Sequence, residues 1–374
     1  MAKTLLPLFL CFLLLANTVK AQEYTNVYSL KECLDFAVNN SYEMHKSNLE
    51  IREADYQIGE AKSGILPQVN VNSGFDKYIA LPSVVLPGEI IGQPGTQIPV
   101  QMGTKNELNF SASLEQVIFS PSLFTGIKVA KNNLELQRLR NIMTKEEIIF
   151  DVSNTYYDIL YSMKELESTR YILAKQDSLY ALTEERVKEG FTREVDLNRI
   201  KVSLTNMRLR ESNLLNTISQ QKKYLQILMG MPIEDRLELD DSEIMQIEAQ
   251  ELHMVSTSQG ITQLSILEKQ KTILELQKKQ EQVKYLPSLS AVVSGGYQFQ
   301  SDHLRLTKDP WFNSLLVGVR LSIPVFDGLG KRNRIKQIQM QSQRMDYEIV
   351  KTRQEISMNF LNAKDQLEVS YKSV

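Results

Sequence analysis

From Ser120-Pro121-Ser122 to Lys188 the sequence reads as one helix with little to break it. Within it Ile149, Val152, Tyr156, Ile159, Met163 and Leu166 recur at intervals of three and four residues, a heptad seam. About 60 residues at roughly 1.5 Å each make a rod of roughly 90 Å, far longer than an ordinary globular helix. The stretch "KEGFTREVD" then forms a turn, and a second helix runs from Asp196 to Met229, where Gly230-Met231-Pro232 ends it. A chain that spends so much of its length this way needs an elongated architecture.

The segments on either side follow a second pattern. Residues 29 to 64 read as a helix with Ser29 as N-cap and Glu32 three positions on. Leu66-Pro67 follows, then a strand-like run from Gln68 to Tyr78. Residues 79 to 106 are rich in Pro and Gly and can be neither helix nor central strand. Another strand covers about Glu107 to Phe119. Beyond Met229, an acidic, irregular segment extends to about Gln259 and a further helix to Tyr285. Then the order repeats. "ILPQVNVNSGFDKY" at 65 to 78 is matched by "YLPSLSAVVSGGYQF" from 285, and "LNFSASLEQVIFSPSLFTGIKVAKNN" at 108 to 133 by "LLVGVRLSIPVFDGLGKRNRIKQI" from 315. Residues 22–229 thus read as a first structural repeat, 230–258 as a linker, and 259–374 as a second repeat, incomplete at its C-terminus.

Export is written at the start. Lys3, the apolar run Leu5 to Ala16 and the small residue Ala21 have the form of a secretory signal over residues 1–21. The run is too short to span a bilayer. After cleavage only Cys33 remains, so no intramolecular disulfide can form, and its neighbours at helical spacing mark it as a core thiol. The 374 residues are 42% hydrophobic with a formal net charge of -2, so no basic excess points to nucleic acid. An exported chain without a transmembrane helix is either soluble or enters a membrane as strands.

The strands carry the decision. Leu315, Val317, Val319, Leu321, Ile323 and Val325 alternate with Gly318, Arg320, Ser322 and Pro324. Leu289, Ala291, Val293, Tyr297 and Phe299 oppose Ser290, Ser294, Gln298 and Gln300, and Val69, Val71 and Phe75 oppose Asn70, Asn72 and Asp76. Such segments suit a transmembrane β-barrel with lipid outside and water inside. A soluble sheet packed on a helix gives the same alternation; export and the long helices favour the membrane. Four strands cannot close a barrel with a lumen, and open edges are not tolerated in hydrocarbon, so several copies must share one barrel.

The two Leu-Pro strand starts, "IPVFDGLGKRNRI" and "RVKEGFTREVDLNRIKVSL" resemble the outer membrane efflux protein family, the TolC-like channels, across essentially all of the mature chain. The resemblance implies a homotrimer in the outer membrane of a Gram-negative bacterium. Each protomer would give four strands to a twelve-stranded barrel and long helices to a periplasmic α-barrel. It also implies a passive exit duct for drug efflux or type I secretion, joined to a periplasmic adaptor and an inner-membrane RND or ABC transporter. The family's second half continues into another helical turn and a returning helix, which this sequence does not contain.

Residue roles follow from that resemblance. Gly190, Thr192 and Asp196 fall at the periplasmic tip, as gate or adaptor-docking residues, with Val195 where the family often has a hydroxyl residue; Asp196 as a simple helix cap is the alternative. Pro324, Phe326, Gly328 and Gly330 make the strand-to-helix transition. Proline lacks the ladder N–H, and the two glycines allow the bend. Lys331, Arg332 and Arg334 fall at the membrane boundary, facing headgroups or the lumen, unless they are an ordinary solvated charge run. Arg320 and Ser322 face the lumen. No catalytic constellation is visible, and His45, His253 and His303 lack metal-ligand spacing, so neither enzyme activity nor a cofactor is expected. An exported coiled-coil adhesive protein, or a non-functional channel fragment, is the alternative reading. The transported substrate is not written in the sequence.

Overall fold

A computed structural model describes residues 27–87, 92, 94–240, 258–307 and 309–373. The signal segment 1–21, His253 and most of the 230–258 linker lie outside these residues. In chain order the elements are β1 (Val27–Tyr28), α1 (Leu30–Asn40), α2 (Tyr42–Ser63), β2 (Gln68–Lys77), β3 (Ser83–Pro87), β4 (Gln97–Gln101) and β5 (Asn106–Phe119). There follow α3 (Pro121–Lys188), α4 (Glu194–Met229), β6 (Glu238–Leu239), α5 (Ser258–Val283), β7 (Ser288–Ser301), β8 (Trp311–Ser322) and α6 (Gly330–Ser373). Contacts divide the described chain into two compact units: residues 27–46 with 143–240, and 47–142 with 258–373.

The first unit holds a hydrophobic core. Val152, Tyr156 and Ile159 of α3 are fully buried with Leu225 and Met229 of α4 and with Cys33 and Ala37 of α1. The heptad seam therefore packs as expected through Leu166, with one correction at its start. Ile148 is buried and Ile149 is exposed, because a straight helix drifts against a strict seven-residue repeat. Tyr156 brings a polar end into this core, and its hydroxyl donates to the Asp240 carbonyl at 2.7 Å. β1 and β6 pair in parallel beside it. Between α3 and α4, Arg170–Glu211, Arg208–Asp177 and Arg210–Glu165 cross at 2.7 to 3.0 Å. Being largely exposed, they fix helix register more than they add stability.

The helix expected over 29 to 64 is two helices. Ser29 caps α1 in a capping box with Glu32, as its spacing requires. Ser41 then adopts an extended conformation, ends α1, and accepts the Met44 N–H on its own hydroxyl to open α2. A buried serine can cap, and here that outweighs the helical periodicity on both sides.

The second unit contains a four-stranded antiparallel sheet in the order β2-β5-β7-β8. The Pro/Gly-rich 79 to 106 segment, expected to hold no central strand, forms a separate short hairpin of β3 and β4. Most of α2, the first part of α3, and α5 and α6 make the rest. Lys269 of α5 reaches Glu135 of α3 at 2.6 Å, and Lys271 reaches Asp346 of α6 at 2.7 Å. Close approach is allowed at Gly64, where an added Cβ would meet Leu123, and at Gly126, where it would meet Gln280.

Two glycines close helices in the same way and differ in surroundings. At Gly230 (φ +73) the Met231 N–H bonds Gln226 and the Gly230 N–H bonds Ile227; at Gly190 (φ +80) Phe191 and Gly190 do the same with Arg186 and Val187. Both are Schellman ends. A Cβ at Gly230 would lie 2.2 Å from the Asn40 carbonyl oxygen, whereas one at Gly190 meets nothing within 4 Å. Gly190→Ala should cost about 1–2 kcal/mol of left-handed strain, and Gly230→Ala that plus about 1–3 kcal/mol of overpacking; urea melts of the two variants order them.

Electrostatics in the first unit predict a pH effect. Lys222 donates to Glu238 at 2.9 Å, and with Arg236 it holds this carboxyl below the usual carboxylate range against the opposing effect of burial. A depressed carboxyl stabilises the fold above its unfolded pKa, and that contribution is lost as pH falls through the folded value. Glu238→Gln should therefore lower Tm at neutral pH, with the difference from the parent shrinking toward acid pH in a Tm-versus-pH series.

Candidate functional site: the sheet faces and the helical turn

Directly opposed residues of antiparallel strands point to the same side of a sheet. The register sets Val69 opposite Leu114 and Val71 opposite Ala112, Leu114 opposite Val293, and Val293 opposite Val317. Four separate alternations thereby become one apolar face running to Leu321 at one end and to Phe75, Leu108, Phe299 and Trp311 at the other. The reverse face carries Asn70, Asn72 and Asp76, Glu107, Asn109, Ser111 and Ser113, Ser294, Gln298 and Gln300, and Arg320 and Ser322. A one-residue slip of any strand would break both faces.

The apolar face lies open. Leu315 and Val317 are 78% and 73% exposed in a single chain. The polar face is partly ordered, with Glu107 accepting from the side-chain amides of Gln298 and Gln300. Among the described residues β2 and β8 each have one unpaired edge.

An aromatic cluster closes the loop end of the apolar face. Trp311 stacks on Tyr297 at 4.9 Å and sits 5.4 Å from Phe299 and 6.2 Å from Phe110, while its indole N–H donates to the Leu306 carbonyl at 3.0 Å. Three strands supply these rings, so no single stretch of sequence announces them. The one tryptophan at the start of the last strand was the available signal.

At the other end β8 stops at Ser322. Pro324 follows outside the ladder, and Val325 and Phe326 are exposed. Gly328 has φ +63, as the bend requires, but Gly330 is an ordinary first helical residue. The second left-handed residue is Leu329 (φ +66), a strained position for a side chain with a Cβ. Asp327 compensates by accepting the Lys331 N–H at 2.9 Å, capping α6. Lys331 also lies 5.0 Å from the Tyr285 ring, and Arg334 lies 3.9 Å from Glu281. Two of the three basic residues thus face internal partners, and Arg332 is exposed.

In the first unit the turn between α3 and α4 presents Phe191, 80% exposed, with Thr192 and Val195 beside it. Helix α4 begins at Glu194 and its N-cap, Arg193, makes no side-chain cap. Asp196 is therefore the third helical residue and not a cap. Its carboxylate lies 3.7 Å from Arg193 and 3.8 Å from Arg199. Among the described residues no three His, Cys, Asp or Glu side chains converge on a metal-sized site, and no helix is long and apolar enough to cross a membrane.

Comparison with known proteins places these features. Residues 34–231 match the outer membrane efflux protein family. The chain is 25% identical over 206 residues to the pyoverdine export outer membrane protein OpmQ of Pseudomonas putida, covering 55% of this chain and 42% of that protein. It is 19% identical over 384 aligned residues to the outer membrane protein TolC of Vibrio cholerae, covering 100% of this chain and 77% of TolC. Among solved structures CusC superposes with a TM-score of 0.65 at 15% identity over 92% of this chain and 76% of CusC. The Campylobacter jejuni CmeC outer membrane channel gives 0.65 at 14% identity over 92% and 74%. At those identities the structures speak for the fold, and the match to OpmQ spans less than half of that protein. With more than half of its length in the family match, the chain belongs to the outer membrane efflux protein family.

Proposed function

We propose that the protein is an outer-membrane exit duct, a homotrimer whose protomers each give four strands to one twelve-stranded barrel and long helices to a periplasmic tunnel. The observation that carries this reading is the open apolar face. From Trp311 to Leu321 it is ten residue steps long. At about 3.3 Å per step that is roughly 33 Å along the strand, and at a tilt of about 40° it stands roughly 25 Å tall, the height of an outer-membrane apolar band. The aromatic cluster at one end is where such barrels carry an interfacial girdle. Water would make this face a liability; lipid makes it stable. The edges of β2 and β8 then need partners, because unpaired backbone is not tolerated in hydrocarbon. Three copies joined edge to edge remove every edge and leave a polar, water-filled lumen lined by Arg320 and Ser322.

Family membership supports the rest of the reading. The duct works passively, joined to a periplasmic adaptor and an inner-membrane RND or ABC transporter, for drug efflux or type I secretion. Gly190, Thr192 and Asp196 belong to the periplasmic tip and act in adaptor docking or gating. The 22–229 and 259–374 halves descend from a duplication. The name of OpmQ describes pyoverdine export, which agrees in direction.

The face assignment is testable at matched depth. Val317→Arg places a charge in lipid at a cost of about 2–4 kcal/mol, whereas Ser294→Arg projects into water. Val317→Arg should abolish heat-modifiable, carbonate-resistant trimer and Ser294→Arg should retain it; equal damage would reverse the face assignment. At the tip, Asp196→Ala removes two exposed ion pairs worth no more than about 1 kcal/mol together, so Tm should hardly move. A gating role predicts higher single-channel conductance in planar bilayers, and unchanged conductance would reduce Asp196 to a helix-end charge.

A further inference from the structure

The apolar face does not end in neutral groups at its loop end. Lys77 is the next β2 residue on that face after Phe75, because the ladder continues through Lys77 opposite Asn106 and Asn106 opposite Ser301. Its row is the first polar one beyond the aromatic cluster. Asn106 is 7% exposed there and donates to the Ser301 and Asp302 carbonyls at 3.2 Å, which closes the top of the apolar face. Lys105 is exposed beside it, its N–H bonding Asp302 at 3.1 Å, and Arg305 is exposed three residues further along the same β7–β8 connection. None of these three cations has an ion-pair partner among the described residues. The nearby acids are committed elsewhere. Asp76 and Glu107 lie on the polar face, Asp302 accepts the Lys105 N–H, and Asp309 accepts from the Ser301 hydroxyl at 2.6 Å.

We infer that Lys77, with Lys105 and Arg305, is a binding site for phosphate-bearing lipid headgroups in the outward-facing leaflet. This rests on the apolar face being the lipid face. The physical case is the order of groups along one face: aliphatic side chains at acyl-chain depth, stacked aromatic rings at the boundary, then unpaired cations at headgroup depth. At the opposite end Lys331 and Arg334 already face Asp327, Tyr285 and Glu281, and of the three basic residues there Arg332 alone is exposed without such a partner among the described residues. Three copies would set a ring of such sites around the barrel.

The test uses the purified full chain in phosphatidylcholine vesicles doped with bisphosphorylated lipid A or with its dephosphorylated form. Lipid retained after detergent extraction is counted by mass spectrometry for the parent, Lys77→Gln and Lys77→Gln/Arg305→Gln. The parent should retain the phosphorylated form preferentially, with loss at high salt. Each removed charge should lower that retention about fivefold, while carbonate resistance in undoped vesicles stays at the parental level. Equal retention of both lipid forms, or by parent and variants alike, would overturn the inference and leave the membrane reading standing. Loss of trimer in Lys77→Gln with unchanged lipid retention would also overturn it, assigning the lysine to the seam between copies. Carbonate extraction of the parent from undoped vesicles would remove the membrane reading and the site together.

Discussion

The backbone ladder of the four-stranded sheet sets the terms for everything else in this protein. β5 and β7 are paired on both sides, so their N–H and C=O groups are satisfied within one chain. β2 and β8 are paired on one side only. In water an unpaired edge is a risk of aggregation; in hydrocarbon each unsatisfied group costs several kcal/mol. A sheet with a largely apolar open face and two open edges is therefore poorly satisfied as a single chain in either solvent. In the proposed reading trimerisation answers this shortage, and the lumen follows from trimerisation.

The junctions between strand and helix use local chemistry. At Phe119-Ser120-Pro121 the chain turns directly, with Pro121 in the first helical position, where its missing N–H is no loss. At Pro324 to Gly330 the same change takes six more residues, two left-handed conformations and an aspartate cap. The strained Leu329 is held by its neighbours, since the Asp327 carboxylate accepts the Lys331 N–H and the Asp327 carbonyl accepts the Gly330 N–H. The helical ends at Gly190 and Gly230 show the same economy, one motif used once in open solvent and once against the Asn40 carbonyl.

Much of the architecture was legible in the residues because it depends on short-range rules. Alternation at period two, heptads at intervals of three and four, and Ser29 with Glu32 are all local patterns, and the strands, long helices and first cap fall where those patterns put them. What was misread involved choices between competing local options. Ser41 could sit in a helix or cap one, and burial against the first unit's core selects the cap. Asp196 could begin α4 or lie within it, and Arg193, which can offer no acceptor, stands at the N-cap instead.

By itself the sequence determined that the strands are two-faced and that the helices are long. Only the tertiary structure decided how those faces combine. Val71, Ala112, Val293 and Val317 come from segments far apart in the chain, and nothing in any one of them says that the others share its side. That follows from hydrogen-bonded register, a long-range property in which every strand constrains its neighbour. The aromatic cluster around Trp311 and the placement of Lys77 beyond it depend on the same register, since each needs residues from several strands in one row. Local periodicity supplies the pieces; the ladder alone puts their apolar sides together.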